Sequence, residues 1–407
     1  MSFIYNNAVK YSDSPNLDAF GRLRTSNVTS LLEYKHTYDK LPLVINEVTA
    51  GTATSVYDKP NSQVVMSVAT NNDYVIRQGV ARGIYQPGKG QIFEASFSDF
   101  QLQTNVIKRV GYFTTSTSVP YDSVVDGFFL ESNGQTGIIS FQIWQSGTTT
   151  FSAASTSWFT TDYDVTNINW SKTQLMFTDF QWLGVGRVRF GVVIDGQFKL
   201  FATSTGTNNL DNVYMKAPNQ PVRYEIRSVS GGAAGSFNMI CSQVSLEGSI
   251  NSLQKSTSVV AFTAQTKPTA YVTYPILGYR LNTNYEGANI TLSDIQSLNI
   301  TNPSKADYLI TVQYNPTLSS SSSWTNIPDT PVQYALSTGQ TITTEGHIIT
   351  SFMGSGSGTQ VDNFEFKDNM LKPGLKVNGT PDEIWICVKS TLANQDFRTS
   401  INLSYFD

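Results

Sequence analysis

Glu94, Asp99, Asp126 and Glu131 are the residues of this chain best placed to break a bond. They stand in or beside runs that read as strands, and two carboxylates roughly 5–10 Å apart are what glycoside hydrolysis requires. Strand-borne acids lining the concave face of a sandwich would make a polysaccharide depolymerase. Against that, Glu94-Ala95-Ser96-Phe97-Ser98-Asp99 lacks the tight E-x-D-x-x-E arrangement expected in several β-jelly-roll glycosidases. Acidic side chains ordinarily face solvent, here beside Lys108 or Arg109, and that is the reading we prefer. Histidine, the commonest general base and metal ligand, occurs only at His36 and His347, far apart in the chain. A zinc site needs four ligands, or three and an open position, and no His/Cys cluster supplies them. Both histidines are therefore expected to be structural, and no metal or cofactor is expected.

Two motif matches dissolve on inspection. Gly354-Ser355-Gly356-Ser357-Gly358 fits G-x-S-x-G, but as a flexible loop between strands and not as a strand-to-helix elbow. Gln86-Pro87-Gly88-Lys89-Gly90 lacks the spacing of a phosphate-binding loop. Aromatic residues offer a different chemistry. Trp158, Tyr163 and Trp170, set among Thr, Asp and Asn, are the candidates for stacking on a sugar ring. Trp144, Trp182 and Trp385 lie in strand runs and read as core. Arg187 and Arg189 share one strand face, as an edge guard or a salt bridge. Cys241 and Cys387 lie in apolar runs and read as buried free thiols.

The elements that must position these residues are strands. Trp170 to Ala202 holds two β-runs joined by Asp195-Gly196, the strongest short hairpin signal, because a type I′ turn needs φ > 0 at both central residues. Asn133-Gly134, between DGFFLE and GIISFQIW, reads the same way. Many short strands with frequent turns indicate a sandwich or barrel. The fold expected is all-β in three parts. Residues 1–40 form an extended N-terminal arm, with Leu31 to Tyr34 starting a strand; 41–250 form a jelly-roll-like, lectin-like sandwich; and 251–407 form a second sandwich. Ala288 to Leu298 is left between a short strand and a turn of helix. Pro316 to Ser323 is a low-complexity loop tip.

Composition agrees. Charged residues are 14% of the 407, against about 25% in typical soluble domains, and a Thr/Ser-rich surface suits strand faces better than helices. With 27 basic and 31 acidic residues and no basic block, nucleic acid is not an expected partner. No apolar run reaches the ~20 residues of a membrane-spanning helix. The opening MSFIYNNAVKYSDSP lacks the basic start and apolar core of a secretory signal.

Several segments carry a resemblance. Asp18-Ala19-Phe20-Gly21-Arg22-Leu23-Arg24-Thr25-Ser26 resembles the AFGRLR-type segment near the start of virion structural proteins of tailed bacteriophages and some large DNA viruses. Ser171 to Gln174 with Asp179-Phe180-Gln181-Trp182-Leu183-Gly184-Val185-Gly186-Arg187-Val188-Arg189-Phe190-Gly191 is similar to a second shared block. Val110 to Phe113 with Asp126 to Glu131, and Tyr274 to Leu281, fit more loosely. The resemblance implies a non-enzymatic particle component located in the virion. We expect a capsid-decorating or tail- or fibre-associated homo-oligomer, a trimer being favoured, that contacts other virion proteins. The arm would attach through Phe20, Arg22, Leu23 and Arg24, since symmetric assemblies use such arms to tie neighbours together. The alternative is a glycan-binding host-recognition module, or the depolymerase, of the same particle.

Overall fold

In a computed structural model of the chain, the residues described are 27–406, except 159, 161–162, 250–254, 284, 286–290, 303–305, 356–359 and 366–370. The fold is all-β. Its strands are antiparallel, and among the described residues the only helical segments are the short 3-10 turns Lys59–Asn61, Ser155–Ser157 and Val165–Asn167.

The first sandwich is jelly-roll-like. Its eight-stranded sheet runs in the order Gln197–Thr205, Arg187–Ile194, Gln174–Phe180, Gln91–Ser98, Gly235–Glu247, Gln63–Val68, Thr54–Asp58, and Val28–Lys35 also pairs with Gly235–Glu247. The facing seven-stranded sheet runs Thr148–Ala154, Ile138–Gln145, Val124–Asn133, Val106–Thr115, Val222–Ser228, Tyr74–Gly79, Ile45–Ala50. The late strands Val222–Ser228 and Gly235–Glu247 enter the middle of each sheet, between strands from far earlier in the chain. Alternation then builds the core. Phe93, Ala95 and Phe97 of one sheet and Val110, Tyr112, Leu130, Phe141, Tyr224 and Ile226 of the other belong to one buried cluster, as a period of two requires. Part of the expected arm therefore belongs to the body, because residues 28–35 are a strand in register from Val28↔Glu247 to Lys35↔Cys241. The rest of the arm up to residue 26, with Phe20, Arg22, Leu23 and Arg24, lies outside the described residues.

The second sandwich has its own cluster, including Val259, Tyr279, Ile310, Ile386, Ile401 and Leu403. A four-stranded sheet (Lys255–Lys267, Gln395–Phe406, Thr291–Asn302, Gln360–Glu365) faces a six-stranded one (Thr325–Asn326, Val332–Leu336, Thr273–Leu281, Glu383–Ser390, Tyr308–Tyr314, His347–Gly354). Thr317–Leu318 pairs separately with Ile342–Thr344. Of the segment read as strand or helix turn, Thr291 to Leu298 is strand, and 288–290 lie outside the described residues. The two sandwiches touch where Val377 sits among Tyr74, Ile76 and Val48 and donates its N–H to Asn46 Oδ1 at 2.9 Å.

The two hairpin signals part company. Asp195 (φ 51°) and Gly196 (φ 73°) make the expected two-residue turn, with Ile194 opposite Gln197. Asn133-Gly134 also marks a hairpin, but not a two-residue one: Asn133 pairs with Ile138 and the loop holds four residues. Gly134 is there because backbone runs against it. A Cβ would lie 1.7 Å from Gln103 O, and its N–H donates to Val106 O. Ser146-Gly147 makes a two-residue turn that the sequence reading passed over, with φ of 48° and 83°.

Candidate functional site

The four carboxylates are scattered by the fold. Inward Val110, Leu130 and Tyr224 leave Arg109, Glu131 and Glu225 on the outer face of the seven-stranded sheet, by alternation. Register places them side by side, Glu131↔Arg109↔Glu225. Glu94, opposite Phe177 and Gln243, is on the outer face of the other sheet, so the whole sandwich separates it from Glu131. Asp99 accepts from Ser236 Oγ and Asn238 Nδ2, each at 3.1 Å. Asp126 is buried and accepts from the N–H groups of Lys216 (2.7 Å) and Ala217 (2.8 Å) and from Gln220 Nε2. It holds a loop in place. The expectation of solvent-facing acids is thus corrected for Asp126 and Glu131, both buried.

Glu131 and Glu225 form an acid pair with a guanidinium between them. Arg109 donates Nε to Glu131 at 2.6 Å and Nη1 to Glu225 at 2.9 Å. Glu225 also accepts from Arg223 Nε (2.9 Å) and Nη2 (2.6 Å), with Arg227 at 3.4 Å. Glu131's other oxygen accepts from Asn133 and Gln142. Burial pushes the Glu225 carboxyl up, but Arg227, Arg223 and Arg109 outweigh it and hold it at about 2. The loop after Thr115 closes the face: Arg223 donates to Tyr121 O at 2.8 Å and Arg109 to Asp122 O at 3.2 Å. Every oxygen is satisfied from within, so the ladder is a structural element.

His36 is buried too. Its Nδ1 faces the Ile240 carbonyl at 2.8 Å, which can only accept, and its Nε2 faces Arg77 Nη2 at 3.3 Å, which can only donate. Both contacts fix the neutral tautomer. Burial pushes its pKa down to about 4, Arg77 adding to the effect against the Ile240 bond. His347 is exposed at a strand start. Among the described residues no group of three or more His, Cys, Asp or Glu is placed to hold a metal ion. Both cysteines are free, and Cys387 is buried, but Cys241 is exposed. A register shift between Met239 and Cys241 turns it to the outer face.

The sugar-stacking candidates meet one another inside the protein. Trp158 is 6% exposed, lies on Phe141 and Phe201 and donates Nε1 to Ala153 O at 2.9 Å. Trp170 packs on Trp158 and Phe100. Tyr163 is half-buried against the same core. Trp158 presents no open ring face, which corrects its reading as a glycan contact. Trp385 is fully buried, as expected, while Trp144 and Trp182 are only half-buried. Arg189 answers the question of its strand face with a buried ion pair to Asp179, its cross-strand partner.

An open site lies in the second sandwich, and the sequence reading missed it. Inward Tyr279 and Ile384 leave Gly278, Arg280, Glu383 and Trp385 on the outer face of the six-stranded sheet. Arg280 sits between its register partners Gln333 and Glu383, donating Nε to Gln333 Oε1 at 2.9 Å and Nη1 to Glu383 Oε1 at 3.2 Å. Trp385 donates Nε1 to the other Glu383 oxygen at 2.9 Å. The Pro316–Ser323 tip crosses above and ends in Trp324, whose ring lies edge-on to Trp385 (5.5 Å) and under the Arg280 guanidinium (4.2 Å). Between tip and sheet is a cleft of about 600 Å³ lined by Arg280, Glu383, Trp324 and Ser320 to Ser322. The signal was a tryptophan closing a serine run: a large ring at a polar tip needs something to cover.

No protein-family model matches this chain, and no curated protein matches it. Among solved structures it is similar to a Bacillus licheniformis beta-glucanase (TM-score 0.35, 10% identity, 54% of this chain and 99% of that one). It is similar also to the exoplasmic/lumenal domain of VIP36 in its Ca2+/Man3GlcNAc-bound form (0.36, 9%, 56% and 92%). A third is a carbohydrate esterase from the Shiga toxin-encoding bacteriophage phi24B (0.35, 14%, 55% and 100%). No ligand or activity is carried across from them.

Proposed function

We propose that this chain is a non-catalytic structural protein of a virion, a capsid-decorating or tail- or fibre-associated component that assembles as a homo-oligomer. The observation that supports the non-catalytic part is the Glu131–Arg109–Glu225 ladder, in which two of the chain's acids are buried and held by a guanidinium. The virion part rests on the AFGRLR-type segment and on the Asp179–Gly191 block. That block has a fold-building role here: the Asp179–Arg189 pair and a tight loop whose Gly186 N–H donates to Trp182 O. Such a role suits a scaffold better than a reaction centre.

The test is incorporation. Chains lacking residues 1–26 should fold, fail to enter particles and leave polysaccharides intact, as should the full chain. Normal incorporation of the truncated chain would refute the arm's role. Polysaccharide turnover by the full chain, lost in Glu131→Gln, would overturn the non-catalytic reading.

A further inference from the structure

The cleft over Arg280 and Glu383 has donor and acceptor capacity that the fold does not consume. Each Glu383 oxygen has one donor, from Arg280 or Trp385, while a carboxylate offers about four acceptor positions. Arg280 Nη2 makes no hydrogen bond among the described residues, and the Arg280 and Glu383 side chains are 23% and 29% exposed. Ser322 Oγ is buried without a hydrogen-bond partner among the described residues, an arrangement native proteins seldom leave unanswered. Trp324, only partly buried on the Ala335, Trp385 and Cys387 cluster, supplies apolar ring surface to the same space.

We propose that this cleft binds a neutral saccharide of one or two pyranose rings, with ring C–H groups against the part of the Trp324 indole that the Arg280 guanidinium leaves uncovered and adjacent hydroxyls bridging Arg280 and Glu383. An apolar wall with a few convergent polar groups is the usual make-up of a small-molecule site, and the volume falls in the usual range. A sugar ring matches it: axial C–H bonds for the indole, hydroxyls that accept from a guanidinium and donate to a carboxylate. Neutrality follows from the charges. Among the described residues Arg280 and Glu383 are the only charged residues lining the cleft, and they cancel; a uronic or sialic acid would have to share the one guanidinium with Glu383 and set two carboxylates side by side, which a neutral sugar avoids. The proposal stands apart from the virion reading, because it uses nothing from residues 1–26.

The experiment is saturation-transfer NMR on the full chain with methyl glucoside, galactoside, mannoside and N-acetylglucosaminide, and with glucuronate as the charged arm. At least one neutral glycoside should receive saturation on one ring face at about 10 mM, a concentration suited to millimolar affinity. Trp324→Ala should weaken that binding roughly tenfold or more, the loss of one apolar wall of a small site. Ser322→Val removes the unpaired hydroxyl and adds bulk to the cleft wall, leaves the sheet strands untouched and should abolish binding with the melting curve unchanged, which covers the case in which Trp324→Ala does not fold. Trp170→Ala should leave affinity alone. No transfer to any neutral sugar, binding that persists in Ser322→Val, or glucuronate bound more tightly than every neutral glycoside would each overturn the proposal.

Discussion

Each sandwich sets an arginine between polar cross-strand partners on an outer sheet face, and the two faces have opposite fates. In the first, Arg109 is shared by Glu131 and Glu225, Arg223 and Arg227 crowd in behind, and a loop closes the top. In the second, Arg280 meets Gln333 and Glu383, and the covering loop stands off far enough to leave a cleft. Residue types alone do not separate these cases. What separates them is whether the paired groups stay open to solvent once the loops are in place. Glu225 is fully buried with an arginine on each oxygen, whereas Glu383 keeps 29% of its side chain exposed.

Removing the shared carboxylate from the sealed face should have the largest effect. Glu225→Ala takes the shared carboxylate from buried Arg223 and Arg227 and leaves Arg109 with Glu131 alone, a loss of about 3–5 kcal/mol. Glu383→Gln keeps an acceptor for Arg280 and sits near solvent, so it should cost under about 1 kcal/mol. Urea unfolding of both variants measures the contrast. Equal losses would mean that the two faces are not different in kind.

The tryptophans extend the comparison. Trp158→Ala opens a cavity in the first core, at about 3–5 kcal/mol. Trp324→Ala removes a ring that only partly covers its cluster, at about 1–2 kcal/mol of lost burial. If Trp324 proves as costly as Trp158, it is a core residue and the cleft is a packing accident.

Acid tests the sealed side by a second route. His36 is held neutral with a pKa of about 4 against an ordinary 6.5. As pH falls from 6.5 to 4, the unfolded chain takes up a proton that the folded chain refuses, so stability should decline by about 3 kcal/mol. Glu225, held at about 2, contributes stability that is full above roughly pH 4.5 and drains away as pH falls toward 2. Loss should therefore come in two stages, and His36→Gln should flatten only the upper one. An unchanged slope between pH 6.5 and 4.5 in that variant would show that His36 is not the group responsible.

Strands were legible because alternation is a local signal, and so was the pairing across the Asp195-Gly196 turn, which is local too; the long-range pairings that set Val222–Ser228 and Gly235–Glu247 in mid-sheet were not. Which face becomes a site was not, because that is decided by loops arriving from elsewhere. Glu131 looks like any solvent-facing acid until Arg109, Asn133 and Gln142 are seen around it. Trp158 looked exposed among threonines and aspartates because its ring partners, Phe141 and Phe201, are contributed by other strands. Cys241 followed the apolar text around it, but a one-residue irregularity reversed its face. At Gly134 the pattern found the hairpin but not its turn, because the glycine sits in a four-residue loop and answers close backbone approach.

The smallest effects come from glycines, and they too divide the regions. Gly278 lies beneath Trp385, where an added Cβ would come within 2.6 Å of the indole. Gly278→Ala should therefore push Trp385 toward Trp324 and disturb the cleft, read as a change in tryptophan fluorescence. Gly196 has open space around it and φ of +73°. Nothing clashes there, so Gly196→Ala should cost only the left-handed backbone penalty of about 1 kcal/mol. Gly196→Asn should recover most of that, since Asn tolerates this conformation, and neither change should touch the fluorescence of the distant cleft. An Ala variant as stable as the parent would show that the Asp195-Gly196 turn does not set the register of its hairpin.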